Sequence, residues 1–584
     1  MSAMRNRLRS ALLAAFVFAS PAFAVLPPIG SGDVAVADPD IPPPPTEPCV
    51  VPLFDQFTFI GFDAQTFDFA PPEDCPGPWQ KVVLAVDFDV TAGRQFDRTA
   101  EIWLGGANLY FGTTQEPRAA VAPTWHIERD VTDLSPLFAS MQAGRVDLGN
   151  VVDDTYTGII HGSASLVFYP YDATVSDRPP RPDVVVPMAA DATGGTVTLA
   201  SDDDHLVINF TPPRNIRRAF LDVIAEAQNT DEFWYLCVPD DVADELQSCP
   251  GTGFREAQVT IDGLYVGIAP IYPWIYTGGI DPGLWRPTPS IQTLSFQPYR
   301  VDLTPYAAWL SSGQPHRVAV RVFNARAYFS VTANLLLYLD HGADTVDGEV
   351  TMNTLAGAAP EYDTQLSSTP DMISGIVAAG SQHVFEIEGY VDTSDGRVTT
   401  YISQGITFHD DQIFNITADQ YEQMLNFGTD IYTLTKVTTG AYTHVVNDYT
   451  TFPLAIDYKF VTTSDGYAQT TTVDQRLERT TSFGIEGFGS HEATLKQHMA
   501  TADTLLFDPG GNVTGRTDQG SQQTFTYLDP FGACYDRTIT TDTGVLTGFT
   551  DGTACPDGVN TLNSFDSFHN AGSLTFGATL QILP

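Results

Sequence analysis

Short runs of alternating apolar and polar residues recur along this chain, and this pattern constrains its fold more than any other feature. Clear examples are residues 86–90, 163–169, 318–323 and 331–339. Successive side chains of a β-strand point to opposite faces, so a period of two indicates strands with one buried face. Turns of Gly, Asp and Pro separate the runs, and almost no segment has the spacing of an amphipathic helix. We therefore predict an all-β protein built of antiparallel sandwiches.

Three motifs occur twice in the same order, which indicates a duplicated unit. The matched pairs are 98–106 with 255–263, 130–135 with 302–307, and 164–169 with 333–338. Unrelated sandwiches share such patterns, but three ordered matches favour duplication. The sequence thus predicts two tandem jelly-roll or β-sandwich domains, and the groove between two packed domains is a common place for a ligand site.

Composition divides the chain further. The first 24 residues contain three arginines, a short apolar run and an Ala-Phe-Ala end, which is the pattern of a cleaved secretory signal. A membrane anchor, the alternative, needs about 20 apolar residues. Pro-rich stretches mark two later boundaries. The predicted segments are a signal peptide (1–24), a Pro-rich linker (25–48), a first jelly roll (49–176), a second jelly roll (177–344) and a C-terminal β-rich domain (345–584).

The charge balance excludes several classes of partner. The 584 residues include 71 acidic and 28 basic side chains, a net charge of -43, which becomes -46 once the three signal-peptide arginines are removed. Binding to nucleic acid depends on clustered Lys and Arg, which are absent here. We therefore predict no nucleic-acid partner and no membrane partner. The secretory signal pattern predicts a secreted or periplasmic protein.

The six cysteines form three pairs that are close in sequence. In an exported protein an even number of cysteines indicates disulfides, and short separation favours these pairings among the fifteen possible. A zinc site is the alternative, but the sequence has no CxxC motif, so we expect no metal. The favoured pairs are Cys49 with Cys75, Cys237 with Cys249, and Cys534 with Cys555.

Three places combine charge with apolar or aromatic surroundings and are candidates for chemistry. Asp97 and Arg98 stand together at the head of a predicted strand. Glu232 follows Asp231 and precedes Phe-Trp-Tyr, an arrangement that desolvates a carboxyl group and raises its pKa. Glu116 lies in a polar loop after the next predicted hairpin. Surface acids at turns and at the rim of an aromatic core are the alternative interpretation of these places.

Six strings from these regions resemble the peptide-N-glycosidase A family, over about residues 75–340. They are FDRTAEIWLGG, GTTQEP, WHIERDVTDLSPLF, TDEFWY, FREAQVTIDG and IYTGGIDPGLWRP. The resemblance implies hydrolysis of the bond between an asparagine side chain and the first N-acetylglucosamine, which releases the N-glycan and leaves aspartate. It implies an N-glycopeptide or glycoprotein substrate and two jelly rolls with a site between them. We expect acid-acting catalysis without a cofactor, by a monomer.

The resemblance also implies roles for individual residues. In a smaller bacterial relative a Trp-Asp-Arg motif supplies the essential acid, and Asp97 matches it; a second glutamate there is similar to Glu232. The third carboxylate follows a Tyr-Thr pair in that relative, whereas Gly158 stands at this place here, so Glu116 is the candidate substitute. The expected substrate-binding residues are Arg98, Trp234, Tyr235, Arg255, Tyr276, Trp285 and Arg286.

Two other functions use the same residue types. A glycoside hydrolase also needs two carboxyl groups, about 5–9 Å apart, and would leave a sugar on asparagine. A non-catalytic carbohydrate-binding or adhesion protein would use the aromatic residues of 272–286 as sugar platforms without turnover.

Overall fold

The computed structural model describes residues 26–171 and 180–563, and almost all of their regular structure is antiparallel strand. This confirms the all-β prediction. The signal peptide predicted at 1–24 lies outside the described residues, as does part of the predicted Pro-rich break at 177–183. No helix in the described part of the chain is long and apolar enough to cross a membrane. The helices are two α-helices, α1 (Ala243–Leu246) and α2 (Ala307–Leu310), and 3-10 segments at Thr132–Ala139, Asn229–Asp231, Trp234–Leu236, Pro282–Trp285, Thr304–Tyr306 and Pro556–Gly558.

Eight strands form the first sandwich, in two four-stranded sheets of order β1-β8-β3-β6 and β2-β7-β4-β5. This interleaved order is that of a jelly roll, in which two Greek keys fold over each other. The apolar face of each sheet packs inward around a core that contains Phe69, Phe138 and Phe168. The strands are β1 (Cys49–Phe59), β2 (Gln65–Phe69), β3 (Trp79–Val90), β4 (Thr99–Leu104), β5 (Ala107–Thr113), β6 (Thr124–Asp130), β7 (Gln142–Leu148) and β8 (Ile160–Pro170).

The second sandwich repeats this topology. Its sheets have the orders β10-β17-β12-β15, with β9 also paired to β17, and β11-β16-β13-β14. β9 and β10 together take the place of the first strand of the jelly roll. The strands are β9 (Val184–Met188), β10 (Val197–Leu199), β11 (Leu206–Phe210), β12 (Ile216–Gln228), β13 (Glu256–Ile261), β14 (Leu264–Pro270), β15 (Tyr299–Asp302), β16 (His316–Phe323) and β17 (Tyr328–Leu339).

The repeated sequence motifs occupy equivalent strands of the two sandwiches. The motif after Arg98 forms β4 and the motif after Arg255 forms β13, each of which is the third strand of its sheet. The closing motifs form β8 and β17, each of which is the second strand of the other sheet of its sandwich and pairs with the third strand of that sheet, β3 or β12. The prediction of two tandem jelly rolls is therefore confirmed.

Residues 347–551 form one antiparallel sheet of twelve strands. Its order is β18-β20-β21-β22-β23-β25-β26-β27-β28-β29, with β19 paired to β20 and β24 paired to β22 and β25. The strands are β18 (Asp347–Asn353), β19 (Glu361–Thr369), β20 (Met372–Thr393), β21 (Gly396–Thr417), β22 (Gln420–Thr439), β23 (Tyr442–Thr451), β24 (Leu454–Thr463), β25 (Gly466–Ile485), β26 (Gly489–Phe507), β27 (Val513–Leu528), β28 (Cys534–Asp542) and β29 (Val545–Asp551).

One face of this twelve-stranded sheet packs on the second jelly roll. Along β21 every second residue from Val398 to Ile416 is buried, as strict period-two alternation requires. The second jelly roll and the sheet share one hydrophobic cluster, to which Trp234 and Phe427 belong. Their rings lie 5.4 Å apart and nearly perpendicular. Complete burial of side chains of this size contributes about 1.5–3 kcal/mol each, so the sheet and the jelly roll stabilise each other.

The segment predicted as a linker has no regular secondary structure between residues 26 and 48, but it is packed against the protein. Ala35, Ala37 and Ile41 are buried. The backbone N–H of Ala37 donates to Gln523 of the twelve-stranded sheet at 2.7 Å, and the N–H of Ile41 donates to Glu128 of the first jelly roll at 2.7 Å. We call residues 26–48 the N-terminal strap, because this segment contacts both the twelve-stranded sheet and the first jelly roll.

All six cysteines are paired as the sequence predicts, so the favoured disulfide pattern is confirmed. The bonds join Cys49 to Cys75, Cys237 to Cys249, and Cys534 to Cys555.

Candidate active site

Three loops meet where the two jelly rolls pack together, and each carries one of the acids predicted to be catalytic. Asp97 lies just before β4, Glu116 just after β5, and Glu232 directly after the 3-10 segment Asn229–Asp231. Asp97 interacts electrostatically with both of the other carboxyl groups. The structure therefore brings the three together, and we call them the carboxyl cluster.

A fourth loop, from the second jelly roll, completes this cluster. The cleft loop, residues 271–298, joins β14 to β15, and its Gly278 N–H donates to Asp97 Oδ2 at 2.8 Å. A methyl group built on Gly278 would lie 2.5 Å from Glu116 Oε2 and 2.8 Å from Asp97 Oδ1. The two carboxyl groups thus face each other across a residue that must lack a side chain for them to approach so closely.

Glu116 is fixed from several directions. Its backbone N–H donates to Thr277 Oγ1 at 2.9 Å, and that hydroxyl donates in turn to the carbonyl of Thr114 at 2.7 Å. Arg286 donates from Nε to the backbone carbonyl of Glu116 at 2.6 Å and from Nη2 to its Oε1 at 3.1 Å. Only 7% of Glu116 is exposed. Because Arg286 engages Oε1, the second carboxylate oxygen of Glu116 remains for the cluster.

The environments of the three acids differ, and so do their pKa values. Burial raises the pKa of Glu116 to about 7, against the lowering effect of Arg286, and burial raises the pKa of Glu232 to about 7, with a further contribution from the charge of Asp97. Burial also raises the pKa of Asp97, but the Gly278 N–H and the adjacent Arg98 favour its ionised form. Such a cluster can hold protonated and ionised carboxyl groups side by side in mild acid.

Arg98 lies beside the cluster and is partly exposed. Its Nη2 donates to Gln95 Oε1 at 3.3 Å and its Nη1 donates to the carbonyl of Asp97 at 3.4 Å, whereas its buried Nε has no hydrogen-bond partner among the described residues. Its guanidinium lies 5.8 Å from the ring of Phe96, which contacts the ring of Tyr156 at 5.1 Å. Phe96 and Tyr156 are both half-buried, so an aromatic rim borders the cluster on this side.

Five of the expected substrate-binding residues are buried in the structure. Their exposed fractions do not exceed 5%. Aromatic density predicts burial as readily as a sugar platform, and here burial prevails. Trp285 donates from Nε1 to Gly279 at 2.8 Å, and the hydroxyl of Tyr276 donates to Ala227, so both stabilise the cleft loop from within. The five residues are Trp234, Tyr235, Arg255, Tyr276 and Trp285.

Arg255 has a specific internal role instead. Its Nη2 donates to Asp231 Oδ1 at 2.9 Å, and its Nη1 donates to the carbonyls of Gly251, Thr252 and Phe254. Asp231, the acid next to Glu232, is therefore part of a buried ion pair and does not reach the cluster. Of the two acids beside Phe-Trp-Tyr, only Glu232 is available for chemistry.

Gly158, where the resemblance implies a missing carboxylate, lies on one wall of the same region. Its carbonyl accepts a hydrogen bond from Gln95 Nε2 at 2.8 Å, and a methyl group there would lie 2.9 Å from the Cβ of Gln95. Gln95 and Gly158 thus pack closely behind the cluster, and Glu116 stands on the opposite loop.

Sequence reasoning missed four residues of this region. Gly278 and Thr277 lie in a segment that was considered only for its aromatic residues. No local sequence signal shows that a backbone N–H will donate to a carboxylate. Glu226 and Glu101 were also missed, although each interrupts an apolar strand, which is a usable signal. Both are buried; Glu226 interacts electrostatically with Glu101 and with Glu232, and burial raises its pKa. Within residues 26–171 and 180–563, no three His, Cys, Asp or Glu side chains are grouped as a metal site requires.

Comparison with known proteins places these observations in a family. The model of the family described as peptide N-acetyl-beta-D-glucosaminyl asparaginase amidase A matches residues 45–355, which include both jelly rolls and the whole carboxyl cluster. A curated protein of Prunus dulcis, peptide-N4-(N-acetyl-beta-glucosaminyl)asparagine amidase A, is 29% identical over 518 residues, covering 85% of this chain and 88% of its own length.

Two solved structures are also similar. PNGase F, a glycosylasparaginase from Flavobacterium meningosepticum, is 12% identical, with a TM-score of 0.34, over 50% of this chain and 96% of its own. PNGF-II is 13% identical, with a TM-score of 0.36, over 50% of this chain and 65% of its own.

Proposed function

The chain belongs to the peptide N-acetyl-beta-D-glucosaminyl asparaginase amidase A family, and we propose that Asp97, Glu116 and Glu232 carry out its reaction. The protein is an amidase that acts on N-glycopeptides and glycoproteins. The observation that carries our assignment is that Asp97 and Glu116 face each other at Gly278, and that Asp97 also interacts electrostatically with Glu232 of the second jelly roll.

Hydrolysis of a side-chain amide sets three chemical requirements. A base must take a proton from the attacking water, a donor must stabilise the charge that develops on the carbonyl oxygen, and an acid must protonate the departing nitrogen. Water then adds to the asparagine carbonyl carbon, the C–N bond to the glycosylamine breaks, and aspartate remains on the peptide.

Asp97 is the base in this scheme. Its carboxylate accepts the Gly278 N–H and lies next to Arg98, and both favour the ionised form that a base needs. The same N–H fixes the orientation of the carboxylate, since Oδ2 is engaged and Oδ1 points toward the side of Glu116.

Glu232 is the acid. Burial and the charge of Asp97 raise its pKa to about 7, so it is protonated in mild acid and can give a proton to the departing nitrogen. It stands on the second jelly roll, opposite the loops of the first that carry Asp97 and Glu116, so substrate bound in the groove would lie between base and acid.

Glu116 takes the place of the missing third carboxylate at Gly158. One of its oxygens is held by Arg286 and the other faces Asp97. The charge of Asp97 contributes to the raised pKa of Glu116, so Glu116 is the protonated partner in mild acid and positions the water that Asp97 activates. Arg98, which is partly exposed beside Asp97, is the donor for the carbonyl oxygen or the first sugar.

The pH dependence follows from these assignments. A group with a pKa of about 7 loses its proton as the pH rises through 7, so the acid form of Glu232 disappears above neutrality. In stronger acid Asp97 becomes protonated and ceases to act as a base. Activity therefore has its maximum below neutral pH. We also propose that the protein acts as a monomer without cofactor, nucleic-acid or membrane partner, and that residues 1–24 direct its export, with which its three disulfides agree.

The decisive experiment is incubation of the purified protein with one N-glycopeptide in water enriched in heavy oxygen, followed by mass spectrometry of the peptide. The proposal requires aspartate that carries one heavy oxygen, together with free glycan. A peptide that keeps one sugar on asparagine would identify a glycoside hydrolase. An unchanged glycopeptide that nonetheless binds would identify a carbohydrate-binding protein. Either of these outcomes would overturn the proposal.

A further inference from the structure

The twelve-stranded sheet presents a set of polar side chains to the cleft loop, and almost every one of them is buried. Gln475, Gln519, Gln523 and Thr501 are each at most 6% exposed. Polar groups buried to this extent need hydrogen-bond partners. The interface between the sheet and the loop therefore depends on exact pairing and not on apolar contact alone.

The partners of these side chains are backbone groups of the cleft loop. Gln475 donates to the carbonyl of Pro273 at 2.8 Å, and Gln519 donates to that of Gly283 at 2.7 Å. Thr501 donates to the carbonyl of Leu284 at 2.9 Å, and Gln523 donates to that of Pro289 at 3.0 Å. Three neighbouring strands, β25, β26 and β27, thus hold the loop from Pro273 to Pro289, on both sides of Gly278 and Arg286.

An ion pair strengthens this attachment in the middle of the loop. Arg516 of β27 donates from Nη2 to Asp281 Oδ1 at 2.8 Å and from Nη1 to Asp281 Oδ2 at 3.0 Å. Asp281 is 2% exposed, and its Oδ1 also accepts the N–H of Gly283 at 2.9 Å. Paired hydrogen bonds of this geometry fix orientation as well as position. Asp281 is three residues from Gly278 along the chain.

Gln519 has a further property, because its two amide atoms serve two different loops. Its Nε2 donates to Gly283 of the cleft loop, while its Oε1 accepts from Arg118 Nη2 at 2.6 Å. Arg118 follows Glu116 by two residues in the loop of the first jelly roll. A single side chain of the twelve-stranded sheet therefore joins the loop that carries Gly278 and Arg286 to the loop that carries Glu116.

We propose that Gln519, with Arg516 in support, is a positioning residue for the amidase site, so that the C-terminal sheet is a working part of that site. This inference rests on the proposed function of the carboxyl cluster. Without Gln519 the two loops lose their common attachment, and the alignment of Gly278 with Asp97 and of Arg286 with Glu116 becomes loose. Small displacements of catalytic groups cost up to about 100-fold in rate.

The test compares Gln519→Leu and Gln519→Glu with the matched control Gln404→Leu. Gln404 is a buried glutamine of the same sheet whose partners are Thr433 and Tyr299, outside the cleft loop. Gln519→Leu removes both hydrogen bonds and is expected to lower kcat by about tenfold or more, with a smaller change in KM and a displaced alkaline limb of the pH profile. Gln519→Glu keeps the acceptor for Arg118 and is expected to recover part of kcat.

Hydrogen exchange provides a readout that does not depend on turnover. Exchange at the Gly278 amide should be faster in Gln519→Leu than in the wild type, and unchanged in Gln404→Leu. Arg516→Lys, which keeps the charge but not the paired geometry, gives the same comparison at a side chain that is one-quarter exposed, should Gln519→Leu fail to fold. Wild-type kcat and exchange in a folded Gln519 variant would overturn the inference, as would an equal loss in Gln404→Leu. If the wild type itself releases no glycan, the proposed function fails, whereas the exchange experiment still decides whether the sheet positions the loop.

Discussion

The two jelly rolls place an arginine at the same point of the fold, and its fate differs completely between them. In the first, Asp97 and Arg98 precede β4; in the second, Phe254 and Arg255 precede β13. Arg98 is partly exposed, and its buried Nε has no hydrogen-bond partner in the described ranges, whereas the side chain of Arg255 is fully buried and donates to Asp231 and three carbonyls.

The cause of this difference is what covers each copy. The twelve-stranded sheet packs over the second copy, where Phe408 contacts the ring of Phe254 at 4.9 Å and Asp410 lies against Gly253. In the first copy Asp97 and Arg98 remain partly exposed, and an acid stands where the covered copy has a phenylalanine. The duplicated strand start is thus structural where the twelve-stranded sheet covers it, and it supplies the proposed chemistry where it is partly exposed.

Replacement of the acid in the open copy should have the largest effect. We expect Asp97→Asn to lower turnover at least about 100-fold, because asparagine keeps the shape but cannot take a proton from water. Circular dichroism should be unchanged. Asp147→Asn, which makes the same change at a partly buried acid paired with Arg145 in the same jelly roll, is the control. A folded Asp97→Asn protein with more than about a tenth of the wild-type rate would exclude Asp97 as the base.

The two arginines should respond in opposite ways. Arg255→Leu leaves the buried carboxylate of Asp231 without its partner, which we expect to lower the free energy of unfolding by about 3–5 kcal/mol. Arg98→Leu should leave the melting temperature almost unchanged and reduce kcat/KM. Thermal unfolding and glycopeptide kinetics on both variants make the comparison. Equal melting temperatures for the two variants would show that Arg255 does not stabilise the fold more than Arg98 does.

Glu232 provides the pH test of the open copy. Its pKa of about 7 predicts that kcat/KM falls as the pH rises above 7, and Glu232→Gln should remove this limb together with about 10²–10⁴-fold of the rate. Because the charge of Asp97 contributes to the raised pKa of Glu232, that pKa, followed by NMR, should be lower in Asp97→Asn. An alkaline limb that persists in Glu232→Gln would assign the titration to another group.

The smallest effect is expected at Asp410, in the part of the twelve-stranded sheet that packs over the second copy. Burial raises the pKa of Asp410 well above its usual range, against the lowering effect of a side-chain hydrogen bond with Gln412. An acid whose pKa is raised by folding stabilises the protein fully only below its unfolded pKa, and that stability is lost as the pH rises through the folded pKa. Asp410→Asn should therefore raise the free energy of unfolding by about 1 kcal/mol at neutral pH, and by much less in acid.

Its neighbour Asp411 faces the opposite side of the sheet and is exposed, so Asp411→Asn is the matched control. Denaturant unfolding at neutral and acid pH measures both variants. If Asp411→Asn shows the same pH-dependent gain, the effect comes from net charge and not from the buried carboxyl group.

Local sequence pattern was sufficient for the framework of the fold. Alternation predicts strands because burial of one face acts residue by residue, and the repeated motifs led to two jelly rolls because equivalent strands retained their sequence. Asp97 and Glu232 were found because each is an acid next to apolar or aromatic residues, and the family resemblance pointed to the same two.

The remaining parts of the site depend on contacts that no local pattern records. Gly278 meets Asp97 across 181 positions of the chain, and Gln519 meets Gly283 across 236. The burial of Trp285 and Tyr276 could not be predicted either, because an aromatic residue in a strand-rich chain is buried or exposed according to its distant neighbours. A glutamine at one of many alternating positions of β27 gives no sign that its partners lie in two other domains.

The contacts of the N-terminal strap constrain the order in which the protein folds. Gly30 and Ser31 exchange backbone hydrogen bonds with Leu546, and Ala37 is bound by Gln523 and by the hydroxyl of Tyr535. The partners of Ala37 are thus synthesised 486 and 498 residues after it. Contacts at such separation form slowly, because a very long loop must close before they are made. Docking of the strap on the sheet is therefore a late step of folding, which must follow the synthesis of β27 and β28.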